Sequence, residues 1–403
     1  MGNRIRRAGI VVEYSNSDIT KFIEEYISKI TIVDNFKGAV DSVSLSLRND
    51  EDRFLKRSWA LELFKQLKVD IITENWENEN EGIKVYPVGI FNIDSRSFSK
   101  NNVEIKALSI PLGEAQDQAN TKTWQEISLK DLGEEFAKKY NLRFKYIASQ
   151  NPELKNLRQE KESDFSFLQK ISSEEGLNLK VAFNKLILFD EEEYEKKAAK
   201  ITIDLKNIDY SISEKTKEVY DAVELTYTDP MTDRTEKILI TDSGVNKIIK
   251  GKKKSKETSN KFGKYFGEEE SDKKVKKTKE PKKYKKLLKI SRRSKSGDLE
   301  VFARKRLKKE NAKRVEISFT IPGNMSLYAG TTFILINAGI FDGKYIIQRI
   351  TKNVPNLNFS IEAYLVESRH KRENRKKKEK KNKKKKDEED ELEELEELED
   401  EEE

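Results

Sequence analysis

A chain of 403 residues has room for two or three domains, yet charged residues make up 38% of it and apolar ones only 35%, so part of it falls outside any packed core. With no cysteine there is no disulfide framework and no thiolate zinc site, and a single histidine, His370, excludes a histidine triad or a His-rich metal centre from the core. The net charge of +7 is unevenly placed: residues 250–289 hold 17 Lys against 6 acidic residues, residues 369–403 hold 13 Lys and Arg against 16, and the rest is close to neutral.

The N-terminal run MGNRIRRAGIVVEYS is basic, but its apolar stretch is short and broken by Glu13, unlike a signal peptide. No stretch has the apolar length of a membrane span, so a protein without a membrane anchor is expected. Residues 9–113 read as β. Strands are predicted at 10–12 and 27–33, and at 43–47, where Val43, Leu45 and Leu47 alternate with Ser44, Ser46 and Arg48. Residues 59–64 fit a strand or a short helix. A strand at 69–73, a polar loop at 74–82 and a pair at 88–93 and 103–108 complete a series of short strands that suggests a barrel or sandwich.

A second unit opens with Ser128, placed to cap a helix whose Leu129, Leu132, Phe136 and Tyr140 share one face, followed by a strand at 142–147. The stretch RQEKESDFSFLQKISSEEGLNLKV, from Arg158 to Val181, is the most informative in the chain. Ser163 is placed to cap a helix on which Phe165, Leu168 and Ile171 recur at threes, with Gln169, Lys170, Ser172, Ser173 and Glu174 on the wet side. Gly176 sits at the left-handed C′ position, with Leu177 beyond it to fold back on the last apolar turn. Leu177, Leu179, Val181 and Phe183 then alternate, Asn184-Lys185 is a candidate turn and 186–189 returns as a hairpin.

Strands at 201–205 and 222–227, a turn at 229–233 and a returning strand at 235–241 come next. Residues 250–289 are too Lys-rich and too poor in apolar side chains to offset the entropy of ordering them. Past Gly297 a helix at 301–311 and strands at 315–321, 333–336, 343–349 and 359–366 are expected. The tail is basic, then acidic, and reads as solvated disorder.

No catalytic, cofactor-binding or metal-binding residue emerges, and neither a cofactor nor an enzymatic activity is predicted. The acidic run Glu268-Glu269-Glu270 lacks the pocket that splits catalytic carboxylates, and no phosphate-binding glycine loop or dinucleotide fingerprint occurs. Arg234, Arg304, Arg306 and Arg314 read as solvated side chains at strand ends and on the late helix.

The wording of these elements resembles a known family. Arg-x-Glu-x-x-Ser-Asp-Phe-x-Phe-Leu from Arg158, followed by Glu174-Glu175-Gly176-Leu177, is similar to the signature of the phage late-control D proteins, the central hubs of contractile tails related to type VI secretion spikes. Val88 to Asp94 with Ile105 to Pro111 resembles the pattern that closes the family's first barrel. Thr123-Trp124-Gln125-Glu126 resembles its Thr-x-Trp-Glu element, with Gln where Glu is commoner. Tyr220 to Tyr227, Ala303 to Asn311, Gly323 to Gly330 and Asp342 to Ile347 follow in the family's order.

The resemblance implies an α+β, mainly β fold. Two tube-like β-barrel domains, 1–115 and 201–367, would flank a small α/β domain at 116–200, with a disordered Lys-rich insertion at 250–289 and a disordered basic-then-acidic tail at 368–403. It implies a homotrimeric baseplate hub that adapts a six-fold tail tube to a three-fold central spike, with the tube protein, the spike protein and other baseplate proteins as partners. Such a hub is made in the bacterial cytoplasm and ends in a phage tail, tailocin or injection particle. The alternative is nucleic-acid binding through 250–289, where Phe262, Tyr265, Phe266 and Tyr284 lie among the lysines. A cell-wall hydrolase lacks a catalytic constellation and a spare domain here.

Overall fold

The two-residue period seen in the sequence sets the walls of the structure. Val43, Leu45 and Leu47 are fully buried, while Ser42, Ser44 and Ser46 between them stay half-exposed. The computed structural model describes residues 6–111, 119–215, 219–228, 235–241, 244–250, 286–292 and 299–368. These residues are mainly β and divide into two compact units, one formed by 1–215 with 312–403 and the other by 216–311.

The larger unit opens with strands β1 (Arg7–Tyr14), β2 (Ser17–Asp18), β3 (Ile27–Asn35), β4 (Ser42–Arg48), β5 (Gln66–Glu74), β6 (Ile83–Phe98) and β7 (Asn102–Leu108). Residues 59–64, which by sequence fit a strand or a short helix, are neither: a 3-10 turn at Arg57–Trp59 is followed by a second turn at 63–64, where Phe64 takes φ +64°, and the stretch stays off the ladders. Setting aside the two-residue β2, the sheet order is β3-β4-β7-β6-β5-β1. Val12, Ile30, Leu45, Val69, Ile93 and Ile105 supply one core side chain from each of the six strands.

The α/β part follows. Strands β8 (Asn120–Ser128) and β10 (Glu153–Glu162) form an antiparallel pair, and β9 (Arg143–Ile147), β11 (Asn178–Ala182) and β12 (Lys185–Phe189) form a three-stranded sheet. β8 and β10 are not among the strands expected from the sequence, since each has only two apolar residues scattered among polar and charged ones. Ser128 Oγ accepts from Asp131 N and caps the helix Leu129–Lys139, and Ser163 Oγ accepts from Ser166 N at the start of the helix Asp164–Glu174. Gly176 takes φ +73°, Gly176 N donates to Ser173 O at 3.2 Å and Leu177 N to Ser172 O at 2.8 Å, the double return that ends a helix at a left-handed glycine.

Two details of this hairpin and helix differ from expectation. The turn is made by Phe183 and Asn184, with φ of +52° and +53°, not by Asn184-Lys185, so Phe183 leaves the strand and is exposed. Ser172, placed on the wet side, is buried, because the helix packs over a wider face that also takes in Phe167. Phe167 stacks on Trp124, with centroids 5.7 Å apart and planes 10° apart.

Strands β13 (Ile201–Asp204), β14 (Tyr210–Glu214), β19 (Val315–Pro322), β20 (Thr332–Ile336), β21 (Gly343–Val354) and β22 (Asn358–Ser368) make the second β array of this unit, ordered β14-β19-β22-β21-β20-β13. Ranked by chain position, both arrays run second, third, sixth, fifth, fourth, first. The likeness extends to an irregularity. The β6–β7 ladder passes from Ile93↔Ala107 to Ser95↔Lys106, skipping Asp94, and the β21–β22 ladder passes from Ile347↔Ala363 to Arg349↔Glu362, skipping Gln348. The arrays differ at one pairing: β1 runs antiparallel to β5, whereas β13 runs parallel to β20. The C-terminal half of β21 pairs with β3 and fuses the two arrays into one sheet.

The smaller unit holds β15 (Ala222–Thr228), β16 (Thr235–Thr241), β17 (Gly244–Lys250) and β18 (Leu287–Arg292), ordered β17-β16-β15-β18, with the helix Leu299–Asn311. Val223, Leu225, Ile240, Leu299, Ala303 and Leu307 form its core. The sequence places 222–241 among the strands of the second barrel, whereas among the described residues these strands pair with one another and with β17 and β18. The predicted insertion 250–289 and tail 368–403 lie largely outside the described residues. At their edges, Lys250 closes β17, residues 287–289 open β18 and Ser368 ends β22.

Candidate functional site

The chemistry-bearing side chains of the larger unit gather where the α/β part meets both β arrays. Lys180 projects from β11, and its Nζ lies 2.6 Å from Asp34 Oδ1, 2.6 Å from Asn35 O and 3.1 Å from Asp41 Oδ2. Asp41 Oδ1 accepts from Asn35 N at 2.8 Å, and Asp34 Oδ2 accepts from Ala329 N at 2.9 Å in the second array. One ammonium thus links the α/β part to the β3–β4 hairpin, and one carboxylate carries the link on to the loop before β20.

The electrostatics follow from burial. Burial alone pulls the Lys180 ammonium down, but Asp34 and Asp41 outweigh it and hold it above its ordinary value. Burial pushes the Asp41 carboxyl up to about 6 against the pull of Lys180, with Asp34 adding repulsion. Apolar packing surrounds the cluster: Phe36, Phe189 and Tyr194 meet with ring centroids 5.1–5.2 Å apart. Gly330, at φ +89°, passes so close to Phe36 that a Cβ would sit 2.7 Å from its ring. Lys37 pairs with Glu191, which also accepts from Tyr364 Oη, and Lys344 Nζ donates to the carbonyls of Glu195 and Lys197 at 2.6 Å each.

A second cluster explains the signature stretch. Asp164 is 1% exposed, and its carboxylate accepts from Gln159 Nε2 at 2.7 Å, Asn120 Nδ2 at 3.0 Å, Lys139 Nζ at 2.6 Å and Tyr140 Oη at 2.8 Å. Burial pushes this carboxyl up, but the four donors win and hold it below the ordinary carboxylate range. Tyr140 is raised to about 12, by burial and by its bond to Asp164. Asp164 of the motif, with Gln159 at one of its unspecified positions, therefore ties β8, β10 and both helices together.

Both clusters are closed. In the first an ammonium spans the two carboxylates, and in the second every carboxylate oxygen is taken up by donors, so neither presents an open position to a substrate. Among the described residues no group of three or more His, Cys, Asp or Glu is arranged to hold a metal, and no helix is long and apolar enough to cross a membrane. Of the arginines singled out in the sequence, Arg304 pairs with Glu300, Arg306 with Glu310 and Arg314 with Glu214. Arg234, His370, Glu268 to Glu270 and the aromatics Phe262, Tyr265, Phe266 and Tyr284 lie outside the described residues. Lys180, Asp34 and Asp41 were not found from sequence, because each reads as an ordinary polar residue of a strand or turn until the tertiary contacts bring them together.

Neither a protein-family model nor a curated protein matches the chain. Solved structures do. The tail protein from Neisseria meningitidis MC58 matches with TM-score 0.58 at 11% identity, over 89% of this chain and 97% of that one. The 43 kDa tail protein of prophage MuSo2 from Shewanella oneidensis matches with TM-score 0.54 at 12% identity, over 88% and 96%. Prophage tail protein gp18 from Listeria monocytogenes EGD-e matches with TM-score 0.51 at 13% identity, over 88% and 94%. The chain has the fold of these phage tail proteins, the fold that its resemblance to the late-control D hubs implies.

Proposed function

We propose that this chain is a structural hub of a phage tail, tailocin or related contractile injection apparatus. In this reading it assembles as a homotrimer that adapts a six-fold tail tube to a three-fold central spike. The observation that carries it is the internal repeat: two β arrays with one strand order and one matched bulge per chain. Three chains then offer six comparable surfaces to a tube and three to a spike. Residues 1–115 and, outside the smaller unit, 201–215 with 312–367 serve as the two tube-like domains, and 116–200 acts as the bracket tied to both through Lys180 and Asp34.

Partners in this reading are the tube protein, the spike protein and other baseplate proteins, reached in the bacterial cytoplasm during assembly and kept in the particle. The role is non-enzymatic. Electron microscopy of the chain co-expressed with its tube and spike proteins tests it: the chain should form a three-fold layer between a six-fold ring and the spike. A position outside the tube axis would overturn it.

A second reading rests on the 17 lysines of 250–289 and the four aromatics among them, which suit nucleic acid. It predicts affinity that falls steeply with salt and disappears on deletion of 251–285, which spares β17 and β18.

A further inference from the structure

We propose that copies of this chain join head to tail, residues 95–98 of β6 in one copy pairing antiparallel with β14 of the next. This rests on the hub reading above and names the surface that makes the ring. It comes from superposing the two arrays of one chain residue by residue.

The matched bulge sets Ile93 on Ile347 and Ser95 on Arg349, so that Arg96, Ser97 and Phe98 correspond to Ile350, Thr351 and Lys352. Hydrogen bonds outside the ladders agree. Phe64 N donates to Ile93 O and Gly330 N to Ile347 O, each at 2.8 Å; Ile93 N donates to Lys65 O at 3.0 Å and Ile347 N to Thr331 O at 2.9 Å. Phe64 and Gly330 both take positive φ. On the other edge, Ala107 and Ala363 align Val43 with Ile317, and through them Ile32 with Ile212, Val33 with Ser213 and Asp34 with Glu214.

Inside the chain, the stretch of β21 that corresponds to residues 95–98 is paired: Arg349↔Asn35, Ile350↔Asp34, Thr351↔Val33 and Lys352↔Ile32. The corresponding junction on the other side is open at both of its halves. Beyond Asn92, β6 has no ladder on its β5 side, and β14 ends the sheet, paired with β19 alone among the described residues. Repeating the internal junction between copies sets Ser95 opposite Lys215, Arg96 opposite Glu214, Ser97 opposite Ser213 and Phe98 opposite Ile212.

The side chains suit that register. Arg96, whose Nη1 donates to Leu61 O at 2.9 Å within one chain, meets the carboxylate of Glu214, which among the described residues pairs with exposed Arg314 at 3.2 Å, and Phe98 meets Ile212. Exposure marks the same two edges. Tyr210 is 52% exposed whereas its counterpart Ile30 is 0%, and Phe98 is 42% exposed whereas its counterpart Lys352 is 8%. An open edge carrying apolar side chains is what strand addition covers. Because the two edges are different surfaces, the contact is heterologous and builds a closed ring or an open filament, not an isolated two-fold pair.

The chain contains no cysteine, so engineered pairs report without background. Full-length chains carrying Ser97→Cys with Ser213→Cys, or Phe98→Cys with Ile212→Cys, would be mildly oxidised and their native mass measured. Neighbouring pairs of an antiparallel ladder alternate between the two Cβ spacings, so at least one of them suits a disulfide. The expected result is intersubunit cross-linking that stops at three covalently joined copies, with little from Ser97→Cys with Ser211→Cys, two positions out of register. A three-copy particle in which neither in-register pair cross-links, or in which the out-of-register pair links equally well, overturns the junction and leaves the trimer standing. A single copy in every preparation overturns the hub reading and the junction with it.

Discussion

Lys180 is the residue on which the contact between the α/β part and the β3–β4 hairpin depends, since a buried pair of carboxylates tolerates proximity only with a cation between them. Lys180→Met keeps most of the length of the side chain and removes the charge, and it should cost about 3–5 kcal/mol in chemical denaturation. The pH dependence carries a sign. Asp41 binds its proton more tightly folded than unfolded, so its contribution favours folding at acid pH and is lost as pH rises through about 6. In Lys180→Met that loss is larger, and stability should recover as pH falls from 7 to 5.

Asp164 has the opposite sign. Its folded carboxyl lies below the ordinary value, so its contribution is present above the unfolded pKa and is lost as pH falls through the folded one. Asp164→Asn should cost about 3 kcal/mol near neutrality, the lower end for a broken buried pair because Lys139 is 47% exposed and can turn to water. The difference from the parent chain should shrink below pH 4, as read by thermal unfolding. Lys352 is a third case. It lies on the core face of β21 with Ile350 and Val354, over the ring of Phe359, and burial lowers its pKa. Lys352→Leu should raise stability by about 1 kcal/mol; a loss would show that its charge helps balance Asp34 and Asp41.

At the scale of elements, packing overrules propensity. Gly133 lies mid-helix, where Gly→Ala ordinarily gains about 1 kcal/mol. Here a Cβ would meet Phe144 and Leu188 at 2.7–2.8 Å, and overpacking of about 1–3 kcal/mol outweighs that gain, so Gly133→Ala should be net destabilising.

The elements best legible in the sequence were those with both a period and a punctuation mark: Ser128 and Ser163 at helix starts, Gly176 at a helix end, and the alternation of 43–47. Those that escaped lack one or the other. β8 carries mostly polar and β10 mostly charged residues because each has one covered face, and β14 is a short, mostly polar strand at a sheet edge. The Phe183-Asn184 turn was hidden by a large apolar side chain in a position that asks for positive φ. The assignment of 222–241 to the second barrel failed for a different reason: strand periodicity says that a segment pairs, not with which sheet. The closed charge clusters were invisible because their members are far apart in the chain.

For the whole molecule, the repeat of six strands in one order makes sense of a chain whose two β arrays share no recognisable sequence. Core positions need only be apolar and of suitable size, so Leu45 and Phe319 fill equivalent places on β4 and β19. What persists is geometry: the skipped residue in the fifth strand and the positive φ just before the fourth. The fusion of the arrays through β21 and β3 shows how one array can hold the next. The mass of the assembled particle tests the central claim most directly. Measured by native mass spectrometry on the full chain co-expressed with its tube and spike proteins, it should correspond to three copies of this chain. A stable single copy in the presence of those partners would contradict it.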